Sequence, residues 1–146
     1  MASKPPITCH ILDTTTGTPA SGVVCSLFYT SVKDVGDTVE ILSSEPFAMA
    51  RTNEDGRVPG WVFDPDPKRR EALRELGVVK DKSTLVWSEL KQGVYKIRFQ
   101  TGKYFSGKQK ETFFPFVDVV FEVSDTRHYH IPLLLSNYSY STYRGS

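Results

Sequence analysis

Four segments of the chain alternate apolar side chains with other residues at a period of two, and this alternation restricts the fold more than any other feature. They are residues 7–13, 94–100, 116–123 and 129–135. Successive side chains of a β-strand point to opposite faces of a sheet, so the pattern predicts strands with one buried face. Less regular segments predict four further strands, at residues 23–30, 39–42, 47–52 and 138–143.

Short strands separated by frequent turn signals, with little helix, predict an all-β fold of the antiparallel β-sandwich type with seven to eight strands. With 146 residues, the chain is expected to form a single domain over residues 1–146. The stretch at about 59–88 departs from the strand pattern. It is expected to be an inserted loop carrying a short helix at 67–76, because Asp66 suits an N-cap and Pro67 suits the first helical position. One or two further helical turns are expected at 101–109.

The charges nearly cancel, with 18 basic and 17 acidic residues, and neither sign forms a block. Nucleic acid and anionic membranes are therefore not expected partners. The apolar run at 131–135 is far shorter than the roughly 20 residues of a membrane helix. The sequence has no secretory signal pattern and no terminal SKL, which favours a cytoplasmic protein, with the peroxisome as the alternative. Cys9 and Cys25 are expected to be reduced.

Three histidines and one arginine are candidate site residues. His10 lies on the first predicted strand, and His128 and His130 lie on one face of the strand at 129–135. The Asp-Gly turn at 55–56 delivers Arg57 in a defined direction at the start of an extended segment. A His-x-His pair together with a third histidine is also a zinc-ligand pattern, so a metal site is the alternative interpretation.

The segment from residue 138 to the C-terminus is rich in hydroxyl and aromatic groups. Chain ends usually fray, so a terminus with so many specific polar groups is expected to be held in a site. Ser141 and Tyr143 share one strand face and are expected to line the pocket.

Three motifs resemble the 5-hydroxyisourate hydrolases, the transthyretin-like enzymes of urate breakdown. They are CHILD at 9–13, TNEDGR at 52–57 and HYHIPLLLSNYSYSTYRGS at 128–146. The terminal YRGS is specific for the enzymes rather than for the carrier transthyretin. The insertion at 59–88 is longer than in compact members of the family.

The resemblance implies a transthyretin-like sandwich that forms a homotetramer, a dimer of dimers, with active sites in a central channel. It implies hydrolysis of 5-hydroxyisourate to 2-oxo-4-hydroxy-4-carboxy-5-ureidoimidazoline, a step of purine degradation, without metal or other cofactor. The matching positions give catalytic roles to His10, Arg57 and His130. The terminal signature that would bind substrate is Tyr143, Arg144, Gly145 and Ser146.

Histidine is the side chain best suited to deprotonate water near neutral pH, and arginine can stabilise charge on a carbonyl oxygen. Which of His10 and His130 is the base is left open. Two non-enzymatic interpretations also stay open. The chain could be a transthyretin-like carrier of a small aromatic ligand, although imidazoles, a guanidinium and the bulky Tyr143 suit an open apolar channel poorly. It could also be a sandwich that only binds another protein.

Overall fold

The computed structural model describes residues 5–42 and 45–146, and in that part of the chain it contains twelve strands and two α-helices. The strands are β1 (Ile7–Asp13), β2 (Thr18–Pro19), β3 (Val24–Asp34), β4 (Val39–Leu42), β5 (Ala48–Arg51), β6 (Val62–Phe63), β7 (Val78–Asp81), β8 (Thr84–Trp87), β9 (Gly93–Phe99), β10 (Val117–Val123), β11 (Tyr129–Leu135) and β12 (Tyr140–Thr142). The helices are α1 (Arg70–Glu75), which follows a 3-10 turn at Pro67–Arg69, and α2 (Thr101–Gly107).

Two sheets make up the sandwich. One has the strand order β12-β11-β1-β2, and the other has the order β10-β9-β3-β5-β6, with β4 paired to β3. Side chains from both sheets form one buried hydrophobic cluster. The predicted all-β sandwich of mainly antiparallel strands is therefore confirmed.

The pairing of β1 with β11 brings the two ends of the chain together. Among the described strands this is the one parallel pair, and it places Thr8 opposite His130 and His10 opposite Pro132. Local alternation says which face a side chain is on but not which strand is its neighbour. The adjacency of the two histidine-bearing strands is therefore a finding of the structure.

The hydrophobic core fixes which side chains of β1 and β11 face outward. Ile7 and Ile11 are fully buried, and Cys9 is 1% exposed. A shift of β1 by one residue in its pairing register would expose these side chains to solvent and would point Thr8 and His10 into the core. Burial of the apolar set therefore holds the polar set on the outer face of the sheet.

Both cysteines are unpaired and buried, as expected. The pKa of the Cys9 thiol is raised well above its ordinary value by its hydrogen bond with Cys25 and by burial. These thiols are core residues.

All eight predicted strands are present, with small changes at their ends, and four more are found. Two of these, β2 and β6, are two residues long and leave no periodic signal. The other two, β7 and β8, form a separate two-stranded sheet within the insertion. The turn between β7 and β8 contains Lys82 with a φ of 58°, a conformation that usually calls for Gly or Asn, so the sequence gives no turn signal there.

The predicted helix at 67–76 is present as the 3-10 turn followed by α1. The Asp66 carboxylate accepts a hydrogen bond from the backbone N–H of Lys68, which caps the first turn. Leu73 and Leu76 join the hydrophobic cluster. Within the described residues, neither helix is long and apolar enough to cross a membrane.

Candidate active site

A tight turn at residues 53–57 positions the candidate arginine. The Asn53 side-chain oxygen accepts hydrogen bonds from the backbone N–H of Asp55, at 2.9 Å, and of Arg57, at 3.1 Å. The Asn53 backbone also accepts from Gly56 and donates to Arg57. Four hydrogen bonds within five residues leave the turn little freedom, so Arg57 leaves it in a fixed direction.

The same turn is docked directly on β1. Gly56 adopts a φ of 72°, and a Cβ at this position would collide with the backbone oxygen of Ile11. The Ile11 N–H donates to the Gly56 carbonyl at 2.9 Å. Glycine is therefore required here both for its conformation and for the close approach. The contact aligns the next residue, Arg57, in an antiparallel bridge with His10.

Arg57 is exposed, and its guanidinium makes no contact that would tie it to the protein's own described side chains. Within residues 5–42 and 45–146, its side chain forms no hydrogen bond and no ion pair. An arginine in this state retains its full capacity to bind an anionic or carbonyl group.

The surroundings of His10 favour its neutral form. Partial burial lowers the pKa of its imidazole, and the charge of Arg57 lowers it further, while the backbone and carboxylate of Asp55 act in the opposite direction. The net shift of the pKa is downward from 6.5, which favours the neutral ring near pH 7.

His130 lies across from His10 on the outer face of the sheet. The two ring centroids are 6.4 Å apart and the ring planes differ by 25°. At this separation one water molecule, or one atom of a small substrate, can touch both rings. The Nδ1 atom of His130 is 2.7 Å from the Thr8 hydroxyl, which is also 2.9 Å from Nε2 of His128.

The C-terminal segment closes against His130. The N–H of Gly145 donates to the His130 carbonyl at 2.8 Å. A Cβ on Gly145 would lie 2.7 Å from Cδ2 of the His130 ring and 3.0 Å from the Pro132 ring. Only glycine permits this approach, which carries Ser146 to the same side of the sheet as Arg57.

These elements enclose a pocket of about 260 Å³. Its lining includes three of the predicted site residues, Arg57, His130 and Ser146, and two residues that the sequence did not single out, Thr8 and Asn53. His10 lies beside it, bridged to Arg57 and facing His130. The structure thus brings the predicted catalytic residues and the chain terminus together.

Three predicted site residues lie elsewhere in the single chain. Ser141 is exposed and pairs with Leu134 in the β11–β12 ladder. Tyr143 and Arg144 line a second pocket, of about 230 Å³, that adjoins His130 from another side. The Arg144 guanidinium lies 4.3 Å from the centre of the Tyr129 ring. A substrate-binding role for Ser141, Tyr143 and Arg144 stays a prediction.

Sequence signals for the two additional residues were present. Thr8 is two residues before His10 on the same strand, so alternation puts both on one face. Asn53 is two residues before Asp55, the spacing at which an Asn side chain caps its own turn. Neither signal is specific without the neighbouring strand.

The three-histidine zinc alternative gains no support from the geometry. Among the described residues, which include all three histidines, no three His, Cys, Asp or Glu side chains are grouped so that they could hold one metal ion. Instead, the Thr8 hydroxyl lies between His128 and His130.

Comparison with known proteins gives one consistent result. The sequence matches the HIUase/transthyretin family over residues 7–145. The probable 5-hydroxyisourate hydrolase of Schizosaccharomyces pombe is 35% identical, over the full length of both chains. The structure of Klebsiella pneumoniae 5-hydroxyisourate hydrolase superposes with a TM-score of 0.64 at 28% identity, covering 96% of this chain and 92% of that one. Sea bream transthyretin in complex with thyroxine superposes with a TM-score of 0.62 at 23% identity, covering 96% and 94%, and shares the fold. The chain belongs to the HIUase/transthyretin family.

Proposed function

We propose that this protein is a cyclic amide hydrolase that converts 5-hydroxyisourate to 2-oxo-4-hydroxy-4-carboxy-5-ureidoimidazoline in urate degradation. Similarity to 5-hydroxyisourate hydrolases extends along the whole chain. The observation that best supports this activity is the pocket lined by Arg57 and His130, with His10 beside it, where the guanidinium has no partner among the described residues.

The reaction opens a ring by adding water to an amide. The water oxygen bonds to the C6 carbonyl carbon, the N1–C6 bond breaks, and N1 receives a proton. Water is a weak nucleophile at neutral pH, so the step needs a base. An imidazole with an unprotonated nitrogen meets that need, and the His10 and His130 rings are spaced to hold one water between them. One of them takes the water proton and the other orients the water.

Arg57 acts on the other side of the reacting carbonyl. Attack by water places negative charge on the carbonyl oxygen, and a permanently charged, planar donor stabilises that charge. Because the Arg57 side chain has no hydrogen-bond or ion-pair partner in the described part of the chain, it gives up none of those contacts when it turns toward substrate. Its turn is held by Asn53, so the backbone does not need to reorganise.

Residues of the C-terminus complete the site in this proposal. Ser146 contributes polar groups to the pocket, and Gly145 allows the segment to cross the His130 ring. Ser141, Tyr143 and Arg144 would contact substrate once further copies of the chain surround the pocket.

We also infer a homotetramer, a dimer of dimers. Its support is family membership and the position of β12 and β10, which each end a sheet and can pair with a second copy. Light scattering coupled to size exclusion tests the assembly. We treat residues 1–146 as one domain because Leu73, Leu76 and Trp87 of the insertion pack into the same hydrophobic cluster as the sheets.

The proposed activity is tested by following the ultraviolet decay of 5-hydroxyisourate freshly generated by urate oxidase, with and without this protein. The protein is treated with a chelator beforehand. Accelerated decay that survives chelation supports the hydrolase and its His/Arg chemistry. Acceleration that is lost on chelation and restored by zinc would favour a metal enzyme, and no acceleration would favour a carrier.

A further inference from the structure

The Thr8 hydroxyl joins two imidazoles on the outer face of the sheet. Its oxygen is 2.7 Å from Nδ1 of His130 and 2.9 Å from Nε2 of His128. Both distances are those of good hydrogen bonds. A single hydroxyl therefore connects a candidate catalytic ring with a second ring that has no assigned role.

The fold holds this hydroxyl in place. Ile7 and Cys9 on either side of Thr8 are buried in the core, so the Thr8 side chain must project to the histidine face. The parallel register sets Thr8 directly opposite His130. Thr8 is only 9% exposed, so bulk water competes weakly for its hydroxyl.

The number of hydrogens limits how the bridge can be arranged. A threonine hydroxyl has one hydrogen to donate and can accept two. Among the described residues, the two imidazoles are its only hydrogen-bond partners. When the hydroxyl donates to one of these two rings, its hydrogen points either at His130 or at His128.

The two arrangements give His130 opposite chemistry. If Thr8 donates to Nδ1 of His130, the neutral ring carries its hydrogen on Nε2, and that nitrogen can only donate. If Thr8 accepts from Nδ1–H, then Nε2 of the neutral ring carries the lone pair and can take a proton from water. In the second case the Thr8 hydrogen points at His128, which must accept at Nε2.

We propose that Thr8 is a positioning residue that accepts from Nδ1 of His130, donates to Nε2 of His128, and so makes Nε2 of His130 the basic nitrogen of the site. The proposal rests on the hydrolase function above and extends it. It assigns the base to His130 and the orienting role to His10. His128 accepts the hydrogen bond that the Thr8 hydroxyl donates.

Four variants test the bridge in the 5-hydroxyisourate assay. Thr8→Val keeps the side-chain shape and removes both hydrogen bonds, whereas Thr8→Ser keeps the hydroxyl. His128→Gln keeps an acceptor near the position of Nε2, whereas His128→Leu removes it.

We expect Thr8→Val and His128→Leu to lower kcat about 10- to 100-fold, a part of the roughly 10²- to 10⁴-fold that acid–base catalysis supplies. The KM of each should stay within about threefold of wild type, because the substrate contacts remain. Thr8→Ser and His128→Gln should stay near wild-type kcat. Wild-type kcat in Thr8→Val, or equal losses in Thr8→Val and Thr8→Ser, would overturn the proposal.

Histidine ¹⁵N NMR of the wild-type protein gives a readout that does not depend on turnover. The account predicts that neutral His130 carries its hydrogen on Nδ1, and that neutral His128 also carries its hydrogen on Nδ1. A His130 ring protonated on Nε2 would overturn the proposal even if Thr8→Val failed to fold. If the wild-type protein does not accelerate the reaction, the hydrolase function fails, and the tautomers still decide whether the bridge is arranged as proposed.

Discussion

Two arginines, one on the outer side of each sheet, show how differently the same side chain can be used. Arg98 on β9 makes a two-point hydrogen-bonded ion pair with Asp118, at 2.7 and 2.9 Å, and lies 4.0 Å from the Phe116 ring centre. The Arg57 side chain has no such partner in the described part of the chain and lies by a neutral histidine. The protein itself supplies the partners of Arg98, whereas we propose that the Arg57 guanidinium binds a ligand. The contrast separates these two arginines by the presence or absence of a side-chain partner among the described residues.

The largest losses of activity are expected from substitutions in the candidate active site. His130→Ala should lower kcat about 10²- to 10⁴-fold, because it removes a general base or its partner. Arg57→Ala should lower kcat about 10²- to 10³-fold, because it removes charge stabilisation in the transition state. Both should leave the melting temperature and the assembly unchanged. Arg51→Ala is a matched control in the same region, since Arg51 donates to the Gly22 carbonyl, and it should keep its activity. Full activity in Arg57→Ala would remove arginine from the mechanism.

A smaller loss of activity is expected when the C-terminal segment is pushed off His130. The Cβ of Gly145→Ala would meet the His130 and Pro132 rings at 2.7 and 3.0 Å, so the segment must shift. We expect kcat/KM to fall about tenfold, since a displacement of about 1 Å in a site can cost as much as 10²-fold. Gly107→Ala is the control, because a Cβ there meets nothing within 4 Å. Wild-type kcat/KM in Gly145→Ala would show that the close packing at His130 is dispensable.

A third prediction concerns the pKa of His10. Burial and the Arg57 charge hold it below 6.5, so His10 should titrate below that value in an NMR titration of the wild-type protein. Arg57→Ala should raise the pKa, because the second of these two causes is gone. Arg98→Ala should leave it unchanged. Because the orienting role proposed for His10 needs its neutral ring, protonation of His10 should lower kcat/KM only below pH 6.5 in the wild type. A His10 pKa that does not move in Arg57→Ala would mean that the two side chains are not electrostatically coupled.

The smallest effect is expected at the structural arginine. Asp118→Asn weakens the pair with Arg98, and it should lower the free energy of unfolding by about 0.2–1 kcal/mol, as is usual for partly exposed pairs. Activity should not change. Urea denaturation and the hydrolysis assay on the same sample check both statements. A loss of activity in Asp118→Asn would contradict the claim that the Arg98–Asp118 pair is purely structural.

The sequence predicted the strand faces well because the core determines them. Alternation in 7–13 and 129–135 placed His10 and His130 on the strand faces opposite the isoleucines, and burial of Ile7, Cys9 and Ile11 accounts for that success. The Asp-Gly turn before Arg57 was predicted from local turn chemistry. The roles of these residues came from the resemblance to a family.

Other features depend on contacts between distant parts of the chain and leave no local signal. The parallel pairing of β1 with β11 sets Thr8 opposite His130, and nothing in either segment specifies its neighbour. The close approach of Gly145 to His130, and the turn of Arg144 toward Tyr129, depend on how the terminus crosses β11. The β7–β8 ribbon was missed because Lys82 adopts the conformation that a glycine would signal.

One paired measurement tests the central claim, which is that Arg57, whose side chain has no partner in the described part of the chain, belongs to the active site. Arg57→Ala and Arg98→Ala would be compared for kcat on freshly generated 5-hydroxyisourate and for melting temperature. The account predicts opposite outcomes, with Arg57→Ala losing activity at full stability and Arg98→Ala losing some stability at full activity. Equal activity in the two variants, or loss of activity only in Arg98→Ala, would contradict it.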